Sequence, residues 1–118
     1  MLSRTKNSYD SGLFAEWYAK WFLRLHGFKI LKSRYVTGKN TNRAEIDIIA
    51  KRGNLIIFIE VKKRKNIEIA FDAINPKQIN RLRTAAETYI AQKNWVGGAR
   101  FDVITVCGRH LHWFKNAI

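Results

Sequence analysis

A mixed α/β domain, built as a central sheet flanked by helices in the order α-β-β-β-α-β with one more strand after it, is what the sequence predicts. Three observations carry that prediction. Apolar residues recur at the helix period from Ser11 to about His26. Two runs rich in β-branched residues, Ala44–Ala50 and Leu55–Lys62, are joined by the short turn Arg52-Gly53-Asn54, as in a hairpin. A second helix-period segment opens at Asn75-Pro76, and strand-like runs resume at Arg100.

Taken in order, residues 1–10 are polar and expected to be flexible, leaving 11–118 as a single domain. In the first helix Leu13, Phe14, Trp17, Tyr18, Trp21, Phe22 and Leu25 mark the apolar positions, Ala15, Ala19 and Leu23 widen the surface, and Gly27 is the stop. Only Glu16, Lys20 and Arg24 make a polar stripe, so the helix is expected to be largely buried with Trp17 and Trp21 in the core. Phe28 to Val36 suits a strand, and 37–43 is a polar, basic loop before the hairpin. Asn75 caps and Pro76 starts the second helix, whose apolar face is Ile79, Leu82, Ala86, Tyr89 and Ile90 and which runs to about Lys93. Trp95 to Gly98 is a loop, Arg100 to Cys107 a fourth strand, and His110 to Phe114 a short fifth.

The charge balance narrows the partners. Twenty-two Lys and Arg face nine Asp and Glu, a net charge of +13, spread along the chain rather than confined to a tail. Attraction to a polyanion follows, with nucleic acid favoured over an anionic membrane because the helices need their apolar sides for the core. The lone Cys107 fits a reducing compartment, and with no signal-peptide pattern or membrane-length apolar run the expected location is the cytoplasm.

Three of the nine acids lie inside the two most hydrophobic strands, where a carboxylate is costly to bury unless it is paired or metal-bound. Glu60 and Lys62 are two residues apart and share a strand face, about 7 Å from one another. Glu45 and Asp47 share a face of the neighbouring strand, so an in-register hairpin brings Asp47 and Glu60 to one point. Two carboxylates and a lysine suit a hard cation, Mg²⁺ or Mn²⁺, that also takes phosphate oxygens, with Lys62 holding a water or offsetting charge on the phosphate. The competing structural reading is a Glu60–Lys62 ion pair at a strand end, with Asp47 capped by backbone amides.

Asp47 followed by Glu60-Val61-Lys62 resembles the PD-(D/E)XK nuclease signature. Five blocks in order, Gly12-Leu-Phe-Ala-Glu16, Glu45-Ile-Asp47, Phe58 to Arg64, Pro76-Lys77-Gln78 and Arg100 to Val103, are similar to the YraN-like family of small bacterial proteins, themselves similar to Holliday-junction resolvases. This resemblance implies a restriction-endonuclease-like core with Asp47 and Glu60 as metal ligands and Lys62 as the catalytic lysine. It also implies Glu16 as the first-helix acid completing the metal site and Gln78 as a glutamine aimed at it. Read from the residues alone, Glu16 pairs equally well with Lys20 one turn on. Ala44 stands where the family usually has glycine.

Lys39, Arg43, Lys63, Arg64, Lys77 and Arg81 are the candidate phosphate contacts, and Asp102 is expected to be structural, paired with a neighbouring base. Trp95 and Trp113 are assigned to packing, with base stacking as the alternative. His26, His110 and His112 form no metal set with Cys107. The expected function is a metal-dependent nuclease acting on DNA, branched DNA included; the alternative is a non-catalytic nucleic-acid-binding protein on the same scaffold, and a third is a basic RNA- or ribosome-associated protein. Pairing of junction-cleaving relatives implies a possible homodimer.

Overall fold

Five strands hydrogen-bond in sequence order, β1-β2-β3-β4-β5, in one sheet. The protein is described by a computed structural model covering residues 8–38, 43–65 and 76–117. Its elements are α1 (Ser8–Leu25), β1 (Lys29–Thr37), β2 (Ala44–Arg52), β3 (Leu55–Lys63), α2 (Pro76–Lys93), β4 (Gly98–Cys107) and β5 (His110–Phe114). The pairs β1/β2, β2/β3 and β4/β5 are antiparallel, and β3/β4 is parallel. A parallel neighbour requires a crossover, and α2 supplies it. Gly53, at φ 59, is the first of the two residues joining the Arg52↔Leu55 pair, where the right-handed twist of a tight hairpin favours a positive φ.

Alternation along the strands sorts the apolar side chains between two layers. Ile48, Ala50, Ile57, Ile59, Ile104 and Val106 pack with Ala15, Ala19 and Leu23 of α1. Ala44, Ile46, Ile49, Ile56 and Phe58 pack with Leu82, Ala85, Ala86 and Tyr89 of α2. Ala44 is buried and is not among the positive-φ residues, so alanine sits there without backbone strain. Among the described residues no helix is long and apolar enough to cross a membrane.

The first helix differs from its reading in two ways. It begins at Ser8 rather than Ser11, and its buried face is not the aromatic one. Ala15, Ala19 and Leu23, spaced by four, are almost fully buried, whereas Trp17 is 57% exposed and Trp21 48%. The expectation that both tryptophans are core is therefore corrected. Small side chains let the helix lie close on the sheet, and a face of tryptophans would hold it away. Leu13, Phe14 and Leu25 share the exposed side, and the Arg24 guanidinium lies 5.1 Å from the Trp21 ring centre.

Packing does account for the other two tryptophans. The Trp95 indole donates to the Gly98 carbonyl at 2.9 Å, and its ring joins the α2 layer. Trp113 meets Phe22 and Phe28 edge-on and donates its indole N–H to Asp102 at 2.8 Å. Asp102, fully buried on β4, also accepts two bonds of 2.8 Å from the Arg100 guanidinium and one of 2.9 Å from the Asn116 amide. The base expected to pair with it is Arg100. This one carboxylate ties β4, β5 and the segment after β5 together.

Candidate metal centre

The β2/β3 ladder runs from the turn outwards as far as the Ile48↔Ile59 pair. One residue further on, the Asp47 carboxylate accepts the Val61 backbone N–H at 2.8 Å. The Asp47 and Glu60 side chains line one cavity and act on each other's ionisation, so the two acids meet just past the last ladder pair. The structural reading of Asp47 as an amide-capped acid is thus half right, since the same carboxyl takes a backbone donor and an acidic neighbour.

Asp47 and Glu60 continue the register of the Ile48↔Ile59 pair, so the hairpin sets them opposite one another; the alternation of β2 itself is interrupted here. Ile46 belongs to the α2 layer and Ile48 to the α1 layer, although residues two apart on a regular strand share a face. The regular pattern is broken at Asp47. On the neighbouring strand, Arg34 lies between the Ser33↔Ile48 and Tyr35↔Ile46 pairs and has φ 55, an uncommon conformation for a residue with a side chain. Arg34 donates to the Glu16 carboxylate at 3.0 Å. The base that pairs with Glu16 is therefore on β1, rather than Lys20 on its own helix. This bond holds an α1 acid, only 13% exposed, at the sheet.

One carboxylate oxygen each of Glu16, Glu45 and Asp47 lie within 4.8 Å of one another. Asp47 and Glu60 also line a cavity of about 430 Å³ with Arg43, Glu45, Lys77, Gln78 and Arg81. Burial, then the Glu60 charge, pushes the Asp47 carboxyl up to about 8, with Glu16 and Glu45 adding to the rise and the Val61 N–H opposing it. Burial likewise raises the Glu60 pKa, while the Lys62 charge and the Asp47 hydrogen bond pull it down. Burial thus favours the protonated form of Asp47 and Glu60 while no cation is bound. An all-oxygen donor set with surplus negative charge fits a hard divalent cation.

A pH dependence follows. Between about 4 and about 8 folded Asp47 keeps a proton that the unfolded chain has released, so metal-free stability falls as pH rises through that window. Urea unfolding in a chelator is expected to show wild type losing stability from pH 5 to pH 8 relative to Asp47→Asn, by a few kcal/mol at about 1.4 kcal/mol per pKa unit. Parallel pH profiles for the two proteins would remove this account.

The other predicted residues fall as follows. Gln78 is half-buried in the cavity wall, Lys77 and Arg81 are exposed at its rim, and Arg43 lies 3.7 Å from Glu45. Lys62 is half-buried and acts on Glu60 through its charge, though it is not part of the cavity wall. Lys63 is exposed at the end of β3, while Arg64 is half-buried and donates to the Lys63 carbonyl at 2.8 Å. Lys39 and the capping Asn75 lie outside the described residues. Glu45, which the sequence allows either as a group beside the ligands or as an edge carboxylate near Arg43, joins Glu16 and Asp47 in the cluster, and its spacing of two from Asp47 was the signal for including it.

A family model described as "Uncharacterised protein family UPF0102" matches residues 15–106. The chain is 35% identical to a UPF0102 protein of Paramagnetospirillum magneticum over 80% of this chain and 75% of that protein. It is 36% identical to one of Bartonella bacilliformis over 86% of this chain and 81% of that protein. With one of Cytophaga hutchinsonii the identity is 37%, over 86% of this chain and 88% of that protein.

Proposed function

The chain belongs to the uncharacterised protein family UPF0102, and from that premise we propose that it is a metal-dependent nuclease hydrolysing phosphodiester bonds in DNA, branched DNA included. The observation that carries this reading is the meeting of Asp47 and Glu60 at the open end of the β2/β3 ladder, with Glu16 and Glu45 beside them and cations at the cavity rim. A structural ion pair needs one acid and one base. Here four carboxylates gather at one place, and burial raises the pKa of Asp47 and Glu60.

Asp47, Glu60 and Glu16 would hold Mg²⁺ or Mn²⁺, with Glu45, whose carboxylate converges with those of Glu16 and Asp47, as a further donor. When bound, the ion would polarise a phosphoryl oxygen and lower the pKa of a water. The Val61 N–H fixes one Asp47 oxygen and leaves the other to face the cation. Arg34 fixes Glu16 in the same way. Lys77 and Arg81, exposed at the rim, bind the incoming phosphates, and the +13 chain charge draws the polyanion in. Lys62 keeps Glu60 closer to its ionised form and offsets charge growing on the phosphate.

Calorimetric titration with Mn²⁺ is the test. Wild type is expected to bind the ion with heat that Asp47→Ala abolishes, and the Mn²⁺-loaded protein to cleave at least one of a panel of duplex, flapped and four-way-junction DNAs. DNA binding without Mn²⁺ uptake or cleavage would leave a non-catalytic nucleic-acid binder on this scaffold. Sedimentation of the same samples, with and without junction DNA, reads whether two copies act together.

A further inference from the structure

A second cavity, about 730 Å³, adjoins the carboxylate site and shares Lys77 and Arg81 with it. It is a groove between α2 and the end of β1. Lys77, Asn80, Arg81, Thr84 and Thr88 line it from the helix, and Thr37 from the strand. Offsets of three, four, seven and eleven from Lys77 place these side chains on one face of α2, a row about 16 Å long. The face toward the sheet is the one that carries Leu82, Ala85, Ala86 and Tyr89. Apolar packing therefore does not explain the row.

The chemistry of this lining is specific in what it includes and omits. Two cations stand at the end next to the carboxylates, and neutral amide and hydroxyl groups continue away from them. Among the described residues the lining holds no acid and no aromatic ring. The Thr88 hydroxyl is turned back onto the Thr84 carbonyl at 3.0 Å, so Thr88 is wall rather than donor. Beyond it the Tyr35 hydroxyl bonds Gln92 at 3.1 Å and ties β1 to α2. A free phosphate would need one cluster of donors, whereas a row that begins at the cations and runs on for two turns to Thr84 fits a polymer of phosphates. Asn80 and Thr84 are the described groups able to bond a base edge, and with two cations at the head of the row and no described ring to stack a base, phosphate contact outweighs base readout.

We infer that this groove carries the sugar–phosphate backbone of one nucleic-acid strand past α2 to the carboxylate site, on one side of the bond to be cut and without regard to base sequence. The inference rests on the nuclease reading for what happens at the end of the track, but the track itself needs no metal. Its variants act by charge at a distance from the carboxylates: Thr84 is exposed and two turns along α2 from Lys77. Arg83 is exposed on the same helix and absent from the lining, which makes Arg83→Ala a control with the same change in net charge as Thr84→Glu.

Fluorescence-anisotropy titrations of two DNAs of unrelated sequence, in chelator and over a range of KCl, decide it. Thr84→Glu is expected to weaken both complexes about tenfold or more, Thr84→Lys to tighten both, and Arg83→Ala to stay within about twofold of wild type. Lys77→Ala with Arg81→Ala is expected to lower the slope of log affinity against log salt by about two, one phosphate contact for each cation lost. Equal weakening by Thr84→Glu and Arg83→Ala, no response to either Thr84 change, or no DNA binding by wild type would each overturn the track. Cleavage that survives while Thr84 proves silent removes the track alone. A track that behaves as described in a protein that never cleaves removes the hydrolytic reading alone.

Discussion

Lys62→Ala is expected to lower the rate of Mn²⁺-dependent DNA cleavage by roughly 10²–10³-fold, the usual cost of removing one charge-stabilising group from a transition state. Affinity for DNA in chelator should stay within about threefold, because Lys62 is half-buried on β3 and is not part of either cavity wall. A second effect accompanies the first. Lys62 is the charge that holds the Glu60 pKa down against burial, so its loss makes Glu60 harder to ionise and weakens uptake of the cation near neutral pH. Lys62→Arg separates the two roles. It retains the positive charge and should restore cation binding in full, while turnover should return only as far as the longer, planar guanidinium reaches the same phosphate oxygen. Cleavage by Lys62→Ala within about fivefold of wild type at saturating Mn²⁺ would exclude Lys62 from the chemistry.

Asp102→Ala is the substitution expected to cost the most stability, about 3–5 kcal/mol by urea unfolding. The carboxylate has no solvent exposure and accepts four hydrogen bonds, from Arg100 twice, Trp113 and Asn116. Its removal strands a partly buried guanidinium, an indole N–H and a backbone amide together. Replacing both members of the ion pair, Arg100→Met with Asp102→Leu, should cost less than Asp102→Ala, because the larger share of the penalty is the unmatched charge rather than the lost attraction. A loss below about 1 kcal/mol for Asp102→Ala would show that water takes the place of the carboxylate. Mn²⁺ binding should survive in whatever fraction remains folded, since Asp102 takes no part in the carboxylate cluster.

Particular residues show where sequence reasoning succeeded and where it stopped. Every strand and both helices were legible, because alternation and helical period are local and Gly53, Pro76 and the 52–54 turn punctuate them. Asp47 and Glu60 were legible as a pair because a short hairpin fixes its own register. Which side of α1 faces the sheet was not. Apolar residues surround that helix, and hydrophobicity favours tryptophan, whereas close packing selected Ala15 and Ala19. The partner of Glu16 was missed because Arg34 is eighteen residues away and reaches it from a left-handed backbone conformation on another strand. Glu45 was undervalued for a related reason. The change of face between Ile46 and Ile48 is a tertiary event that no spacing rule contains.

The buried aspartate on β4 also has a consequence for the order in which the molecule assembles. Translation delivers Asp102 before Trp113 and Asn116, two of the three residues that surround it. While those two are still inside the ribosomal exit tunnel, inserting β4 beside β3 would bury an anion with Arg100 as its sole companion. The nascent chain therefore has reason to leave that strand in water until Asn116 has left the tunnel, and α2, which must cross over to bring β4 into place, waits with it.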